Sequence, residues 1–100
     1  MSNNLKGIKN KLIPILKKND IIKASIFGSY ARGEETSKSD IDMLVEFPKG
    51  KTLLDLVGLQ QELEDRMGIK FDISTYNYIN HLIKDEILKD QVIILKYNDA

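Results

Sequence analysis

Two short motifs near the middle of the chain contain the residue types that bind phosphate and divalent cations. The first, residues 28–33, reads Gly-Ser-Tyr-Ala-Arg-Gly, and Gly28 and Ser29 form a glycine-flanked serine pair of the kind that lies against a phosphate. The second, residues 39–42, reads Ser-Asp-Ile-Asp, and its two carboxylates adjoin an apolar run that continues to Val45. Burying a carboxylate is unfavourable unless a cation or a hydrogen-bond donor compensates it. The motifs therefore predict a metal site beside a phosphate site.

The spacing of Asp40 and Asp42 suits joint metal binding. Side chains two residues apart on a strand point to the same face, and their Cα atoms lie roughly 6–7 Å apart. Asp72 is a lone carboxylate between apolar residues of a later predicted strand, and it would join the pair if the two strands were neighbours. Three carboxylates and nucleotide phosphates form the oxygen set that Mg²⁺ prefers. Two such ions could activate an attacking hydroxyl and stabilise a leaving pyrophosphate, so we predict these aspartates as metal ligands and catalytic residues.

A nucleotide-binding set is predicted around them, comprising Gly28, Ser29, Arg32 and Ser39. Ser29 offers a hydroxyl and an N–H at the start of a helical turn, where anions bind well. Arg32, one of two arginines in the chain, is spaced to reach a phosphate oxygen. It could equally pair with a surface carboxylate: Glu34, Glu35 or Asp40. Ser39 also suits capping or orienting the loop before the aspartates. For Tyr30 we expect packing, with base stacking or acceptance of a nucleotide as alternatives.

The first quarter of the chain predicts a helix and then a strand that leads into the first motif. Apolar residues recur at helical spacing: Leu5, Ile8, Leu12, Ile15 and Leu16. Pro14 should kink or restart this helix, and Asn19-Asp20 breaks it. From Ile21 the period changes to two, which predicts a strand ending at Gly28. One face of this strand carries Ile22, Ala24 and Ile26, and the other carries Lys23, Ser25 and Phe27.

The rest of the pattern predicts a short helical turn over 30–33, a polar loop over 34–39 and a strand over 40–47. Thr52 and Asp55 read as a capping box for a helix that Gly68 ends. Its expected apolar stripe is Leu53, Leu56, Val57, Leu63 and Met67. A strand over 69–74, a helix and a strand over 92–95 follow. That helix is marked by Ile79, Leu82, Ile83 and Ile87. The order α-β-β-α-β-α-β predicts one α+β domain over 1–100, a mixed sheet with helices packed against it in two layers.

The bulk composition narrows the class of protein. One hundred residues are enough for one small domain. Basic and acidic residues number 15 each, which argues against a dedicated nucleic-acid binder. Cysteine is absent, which excludes disulfides and thiolate metal sites. No apolar run approaches the roughly 20 residues of a membrane span, and the N-terminus lacks the apolar core of a signal peptide. We therefore expect a cytoplasmic protein that does not enter a membrane.

Taken together, the motifs resemble those of the DNA polymerase β-like nucleotidyltransferases. Gly-Ser-x-Ala-Arg-Gly, then Ser-Asp-Ile-Asp, then a distal strand aspartate, is similar to the pattern of that superfamily, above all of its minimal nucleotidyltransferase (MNT) domains. The resemblance extends from the leading helix through Phe71-Asp72-Ile73. It implies the nucleotidyltransferase fold. It also implies that Gly28 and Ser29 bind phosphate, that Asp40 and Asp42 bind metal, and that Asp72 can take the proton from the attacking hydroxyl.

The resemblance also implies an activity and a partner. Members of this superfamily transfer a nucleoside monophosphate from a nucleoside triphosphate to a hydroxyl. Many MNT proteins resemble antitoxins paired with a HEPN toxin, and some adenylylate a tyrosine of that toxin. We therefore expect an Mg²⁺-dependent transfer of AMP from ATP, with a HEPN protein as acceptor. Two alternatives stay open: an antitoxin that neutralises its partner by contact alone, and nucleotidyl transfer to a small molecule. The sequence leaves the oligomeric state open.

Overall fold

The computed structural model describes residues 3–76 and 84–96. Its elements, in chain order, are α1 (Asn3–Lys18), β1 (Lys23–Phe27), α2 (Gly28–Arg32), β2 (Ile41–Glu46), α3 (Leu53–Met67), β3 (Phe71–Thr75), α4 (Lys84–Asp90) and β4 (Val92–Lys96). The predicted α+β order is confirmed. The helical turn that was expected over 30–33 is the five-residue helix α2, which begins at Gly28. Of the helix predicted around 79–87, Ile79, Leu82 and Ile83 lie outside the described residues.

The strands form one mixed sheet in the order β3-β2-β1-β4. β1 runs antiparallel to both β2 and β4, whereas β2 and β3 are parallel. A parallel pair needs a long crossover connection, which α3 supplies. This crossover brings β3 alongside β2 and therefore sets Asp72 beside the second motif.

One face of the sheet packs into the hydrophobic core. The alternate residues of β2 on that face, Ile41, Met43 and Val45, are fully buried, as the strand periodicity predicts. Helices contribute the other layer of this core through Leu5, Leu12, Leu16, Leu59 and Leu63. The opposite face carries the residues between them, including Asp42. The functional motifs therefore lie on the face of the sheet turned away from the main core.

Pro14 does not divide helix α1. Of the two expected effects, a kink or a restart, the restart is wrong, because one helix runs through Pro14 from Asn3 to Lys18. It ends at Asn19-Asp20, as predicted, with Asp20 in the left-handed region at φ 62°. Among the described residues, no helix is both long enough and apolar enough to span a bilayer.

Helix α3 confirms the predicted caps but not the whole predicted stripe. Thr52 and Asp55 form the reciprocal capping box, and Gly68 ends the helix at φ 67°. Leu53 and Val57, which we expected in the core, are 62% and 55% exposed, whereas the core residue Leu59 was missed. At about 100° per residue, Leu59 lies on the same side of the helix as Leu63, and the two expected residues fall outside that buried stripe.

Candidate active site

Gly28 lies directly against the carboxylate of Asp42. The last residue of β1, Phe27, is the cross-strand neighbour of Asp42, so the chain turns into α2 immediately beside that aspartate. Gly28 has a φ of 73°, in the region that favours glycine. A Cβ at this position would collide with Asp42 Oδ2 and lie 3.2 Å from its Cγ. The glycine of the first motif therefore lets the backbone approach the aspartate of the second.

The parallel register of β2 and β3 places Asp72 directly opposite Asp42. Asp40 precedes β2, whose start is fixed by a hydrogen bond from Ile41 N–H to the carbonyl of Lys70 at 2.9 Å. Asp42 is partly buried, whereas Asp40 and Asp72 are exposed. The structure thus brings together the strands that carry the three predicted carboxylates, at one end of the sheet.

The charges of this group act on one another. Partial burial raises the pKa of Asp42, and the negative charges of Asp72 and Asp40 raise it further, while the positive charge of Arg32 opposes them. Like charges close enough to shift a pKa disfavour the ionised state unless a cation lies between them. The electrostatics of the site therefore favour a bound cation.

The carboxylates are not gathered into a closed metal cage. Within residues 3–76 and 84–96, no three acidic or histidine side chains stand close enough together to hold a metal ion by themselves. The donor set nevertheless fits Mg²⁺, which takes hard oxygen ligands and is commonly held by one or two carboxylates plus substrate phosphates. Asp42 and Asp72, which lies opposite it, could supply such carboxylates. Asp40, which is exposed just before β2, could supply a further one.

The predicted phosphate residues lie in the turn that follows Gly28. Ser29 is the second residue of α2, and its carbonyl accepts the N–H of Glu34 at 2.8 Å. Arg32 is exposed and pairs with Glu34, one of its expected surface partners, at 3.3 Å. It also pairs with Asp90 of α4 at 3.5 Å, a contact that the sequence did not indicate. The positive charge of Arg32 opposes the rise in the pKa of Asp42, but its guanidinium is paired with the carboxylates of Glu34 and Asp90.

The remaining motif residues have structural contacts. Ser39 Oγ accepts the backbone N–H of Thr36 at 2.9 Å, which closes the polar loop before Asp40, in line with a loop-orienting role. Tyr30 is buried in the core at 6% exposure, which fits the expected packing role rather than base stacking. Burial raises the pKa of Tyr30, and the charges of Glu35 and Asp40 raise it further.

Sequence reasoning missed a buried polar contact on the same sheet face. Ser25, one row along β1 from Phe27, is fully buried, and its hydroxyl lies 2.6 Å from the hydroxyl of Tyr76. The only available signal was a serine between apolar residues of a predicted strand, in Ala24-Ser25-Ile26. Its partner lies 51 residues further along the chain.

Comparison with known proteins identifies the family. Residues 10–100 match the family described as Polymerase beta, Nucleotidyltransferase. A Methanocaldococcus jannaschii protein assigned by name as a protein adenylyltransferase, MJ0435, is 55% identical over 92 residues, covering 92% of this chain and 99% of the relative. The protein adenylyltransferase MntA of Thermococcus cleftensis is 33% identical over 69 residues, covering 69% and 70%. The chain belongs to the polymerase β-type nucleotidyltransferase family, as the motifs predicted.

Solved structures confirm the fold. A structure described as a minimal nucleotidyltransferase superposes with a TM-score of 0.77 at 29% identity, covering 89% of this chain and 91% of the other. A MNT antitoxin solved in complex with a tri-AMPylated Shewanella oneidensis HEPN toxin gives a TM-score of 0.72 at 18% identity, covering 92% and 72%. At that identity the second likeness concerns the fold alone.

Proposed function

We propose that this nucleotidyltransferase moves AMP from ATP to a hydroxyl of a partner protein, with Mg²⁺ as the metal. The observation that carries the proposal is the register that sets Asp72 opposite Asp42, with Gly28 packed against the carboxylate of Asp42. Three carboxylates at one end of a sheet, beside a glycine-serine turn, suit the binding of a polyphosphate through metal ions.

The chemistry assigns a role to each residue. Asp42 and Asp72, with Asp40, would hold Mg²⁺, which when bound neutralises phosphate charge and stabilises the leaving pyrophosphate. Ser29 offers its N–H and hydroxyl to a phosphate oxygen of ATP. The acceptor oxygen attacks the α-phosphorus and forms a new P–O bond. The bond from that phosphorus to the oxygen bridging to the β-phosphate breaks, pyrophosphate leaves with its electron pair, and Asp72 accepts the acceptor's proton.

Arg32 and Ser39 have auxiliary roles in the proposed reaction. The guanidinium of Arg32 could exchange its exposed ion pairs with Glu34 and Asp90 for a phosphate oxygen, because such surface pairs contribute little, about 0–1 kcal/mol. Ser39 would act by orienting the loop that delivers Asp40, since its hydroxyl is already used within that loop.

The acceptor we propose is a tyrosine of a HEPN protein, which would make this chain an antitoxin of the MNT type acting in the cytoplasm. Two kinds of comparison support this. Relatives that this chain covers almost completely are assigned by name as protein adenylyltransferases. Proteins of the same fold have been solved in toxin-antitoxin complexes, in one case with an AMPylated HEPN toxin and in another with AMP-PNP.

Intact-mass spectrometry tests the proposal. The protein is incubated with Mg²⁺ and each nucleoside triphosphate in turn, with and without the protein encoded next to it. We expect the partner's mass to rise by one or more AMP units with ATP, and no rise with Asp42→Asn. The matched control is Asp65→Asn, which should keep full transfer, because Asp65 is an exposed aspartate of α3 and this helix packs on the core face of the sheet, opposite the face that carries Asp42.

The same variants separate the two other functions. Neutralisation of the partner that persists in Asp42→Asn, with no adduct on either protein, would replace transfer by a binding-only antitoxin. Consumption of ATP that depends on an added small hydroxyl compound, with the partner unmodified, would point to a small-molecule acceptor. A transfer reaction that survives Asp42→Asn would overturn the assignment of the site.

A further inference from the structure

A partly buried hydrogen-bond chain lies on the same sheet face as the proposed carboxylate site. The register pairs Phe27 with Asp42 and Asp72 in one row across the sheet, and it pairs Ser25 with Leu44 in the next row. Ser25 is fully buried and is the one buried polar residue in the described part of the chain. A buried hydroxyl needs a partner, and here the partner comes from beyond the end of β3.

That partner is Tyr76, which follows β3 directly. Its hydroxyl lies 2.6 Å from Ser25 Oγ and donates to Gln91 Oε1 at 3.2 Å, so Ser25 is the donor in the first bond. Gln91 joins α4 to β4. Lys23 Nζ lies 4.7 Å from the centre of the Tyr76 ring, which adds a cation–π contact. Burial raises the pKa of Tyr76, so the phenol stays neutral and keeps its proton.

The hydrogen bond between Tyr76 and Ser25 links two strands that are not neighbours in the sheet. Because β2 lies between β1 and β3 in the sheet, a bond from Tyr76 to Ser25 must cross β2. Leu44, which sits on β2 beside Ser25, is 1% exposed although it faces away from the main core. A side chain that reaches from Tyr76 to Ser25 passes over this part of β2, which agrees with the burial of Leu44. Tyr76 therefore fastens the end of β3 to β1 across the middle strand.

The opposite end of β3 is fixed in another way. There, Phe71 N–H donates to Glu64 of α3 at 2.9 Å. Between these two anchors stands Asp72, whose charge is repelled by Asp42 across the register. Since β3 is an edge strand with a neighbour on one side only, that repulsion acts to separate β3 from β2, and the Tyr76 contact opposes it.

We propose that Tyr76 is a positioning residue for nucleotidyl transfer: by bonding to Ser25 across β2, it holds Asp72 at the distance from Asp42 that Mg²⁺-nucleotide binding requires. This inference rests on the proposed function, which supplies the role of the carboxylates. Tyr76 acts through β3 and does not touch the reacting atoms. Groups hydrogen-bonded to metal ligands typically change metal affinity or activity by about 10–100-fold when removed, and for Tyr76, which acts through the backbone of β3, we expect the lower end of that range.

Two variants of the protein test the contact. Tyr76→Phe keeps the ring and loses the hydroxyl, leaving buried Ser25 without its partner, so the Tm should fall. The double variant Ser25→Ala, Tyr76→Phe removes both hydroxyls and should recover part of that Tm. In both variants we expect the amides of 71–75 to exchange hydrogen faster than in the wild type, while those of β2 change less.

The decisive readout is the Mg²⁺ concentration that half-saturates AMP-PNP binding, measured by calorimetry. It should rise roughly tenfold in Tyr76→Phe and stay raised in the double variant despite the recovered Tm. The stability control is Ile8→Val on α1, which loosens the core on the other face and should leave the Mg²⁺ midpoint unchanged. A midpoint equal to that of the wild type in Tyr76→Phe would overturn the positioning role.

The same measurements distinguish failure of the inference from failure of the proposed function. If the wild type binds AMP-PNP with Mg²⁺ and Asp42→Asn does not, the site stands, and the midpoint of Tyr76→Phe decides the inference alone. If the wild type binds no AMP-PNP at any Mg²⁺ concentration, the proposed function falls and the positioning role falls with it, whatever hydrogen exchange shows of the contact.

Discussion

Gly28 and Asp42 occupy adjoining space that leaves no room for a side chain on the glycine. A Cβ on Gly28 would overlap Asp42 Oδ2, and the two residues are brought together by the pairing of Phe27 with Asp42. The glycine-serine turn and the carboxylate pair, which are separate motifs along the sequence, thus form one contact in the folded chain. A change in either motif should therefore disturb the other.

This contact predicts different outcomes for two similar glycine variants. Gly28 and Gly33 flank α2 with φ values of 73° and 72°, but a Cβ on Gly33 meets nothing within 4 Å. Gly33→Ala should lower the free energy of unfolding by about 1–2 kcal/mol, because the left-handed conformation is unfavourable for a side chain. Gly28→Ala should lower it by at least as much, because its Cβ also overlaps Asp42 Oδ2. Gly28→Ala should also displace Asp42 and abolish AMP transfer, whereas Gly33→Ala should retain it.

Urea denaturation and initial transfer rates check this pair. The shared conformational strain makes Gly33→Ala the control for Gly28→Ala, so any difference in transfer rate belongs to the contact with Asp42. Equal rates for the two variants at equal stability would show that the proximity of Gly28 to Asp42 has no part in the reaction.

Asp42→Asn should raise the Tm of the protein in the absence of divalent cations. Asp42 is partly buried, and its charge is opposed by Asp72 and Asp40, so an uncharged amide of the same shape relieves that repulsion. Addition of Mg²⁺ with AMP-PNP should reverse the order, because the wild type gains stability from the bound ligand and the variant does not. Thermal denaturation with and without these additions measures both effects; a variant less stable than the wild type without cations would contradict the prediction.

The sequence predicted the residues of the candidate site better than the contacts that hold those residues in place, and the reason is physical. Asp40, Asp42 and the Gly28-Ser29 pair are local motifs whose strand context follows from neighbouring residues. That Asp72 lies opposite Asp42 depends on β3 pairing with β2, which the periodicity allows but does not require. The contact of Ser25 with Tyr76 joins residues 51 positions apart, and no local pattern carries that information.

Because the first turn of α3 is exposed, replacing a leucine there should cost much less stability than replacing a leucine in the core. Leu54 is 81% exposed, whereas Leu63 is fully buried. Leu63→Ala should lower the free energy of unfolding by about 2–5 kcal/mol through loss of buried surface and the cavity left behind. Leu54→Ala should change it by less than about 0.5 kcal/mol. Urea denaturation of the two variants measures both values, and a comparable loss in each would mean that the first turn of α3 is packed in solution.

The hydrogen bonds of Glu62 on α3 should make the stability of the protein depend on pH. Its carboxylate accepts hydrogen bonds from Lys18 at 3.0 Å and from Asn19 at 3.2 Å, which join the end of α1 to α3. These bonds lower the pKa of Glu62 below its ordinary value of 4.5. A lowered pKa in the folded state contributes stability that is present above the unfolded value and is lost as the pH falls through the folded value.

Glu62→Gln should therefore be less stable than the wild type at pH 7 by up to about 1 kcal/mol, the range of an exposed ion pair. The difference should shrink as the pH falls from 4.5 through the lowered pKa of Glu62 in the folded state, because Glu62 is then protonated and both proteins carry a neutral group at this position. Urea denaturation between pH 7 and pH 3 measures it, with Asp65→Asn on the same helix as the control for removing one charge. A difference that is unchanged at pH 3 would assign the effect to the shape of the side chain and not to its charge.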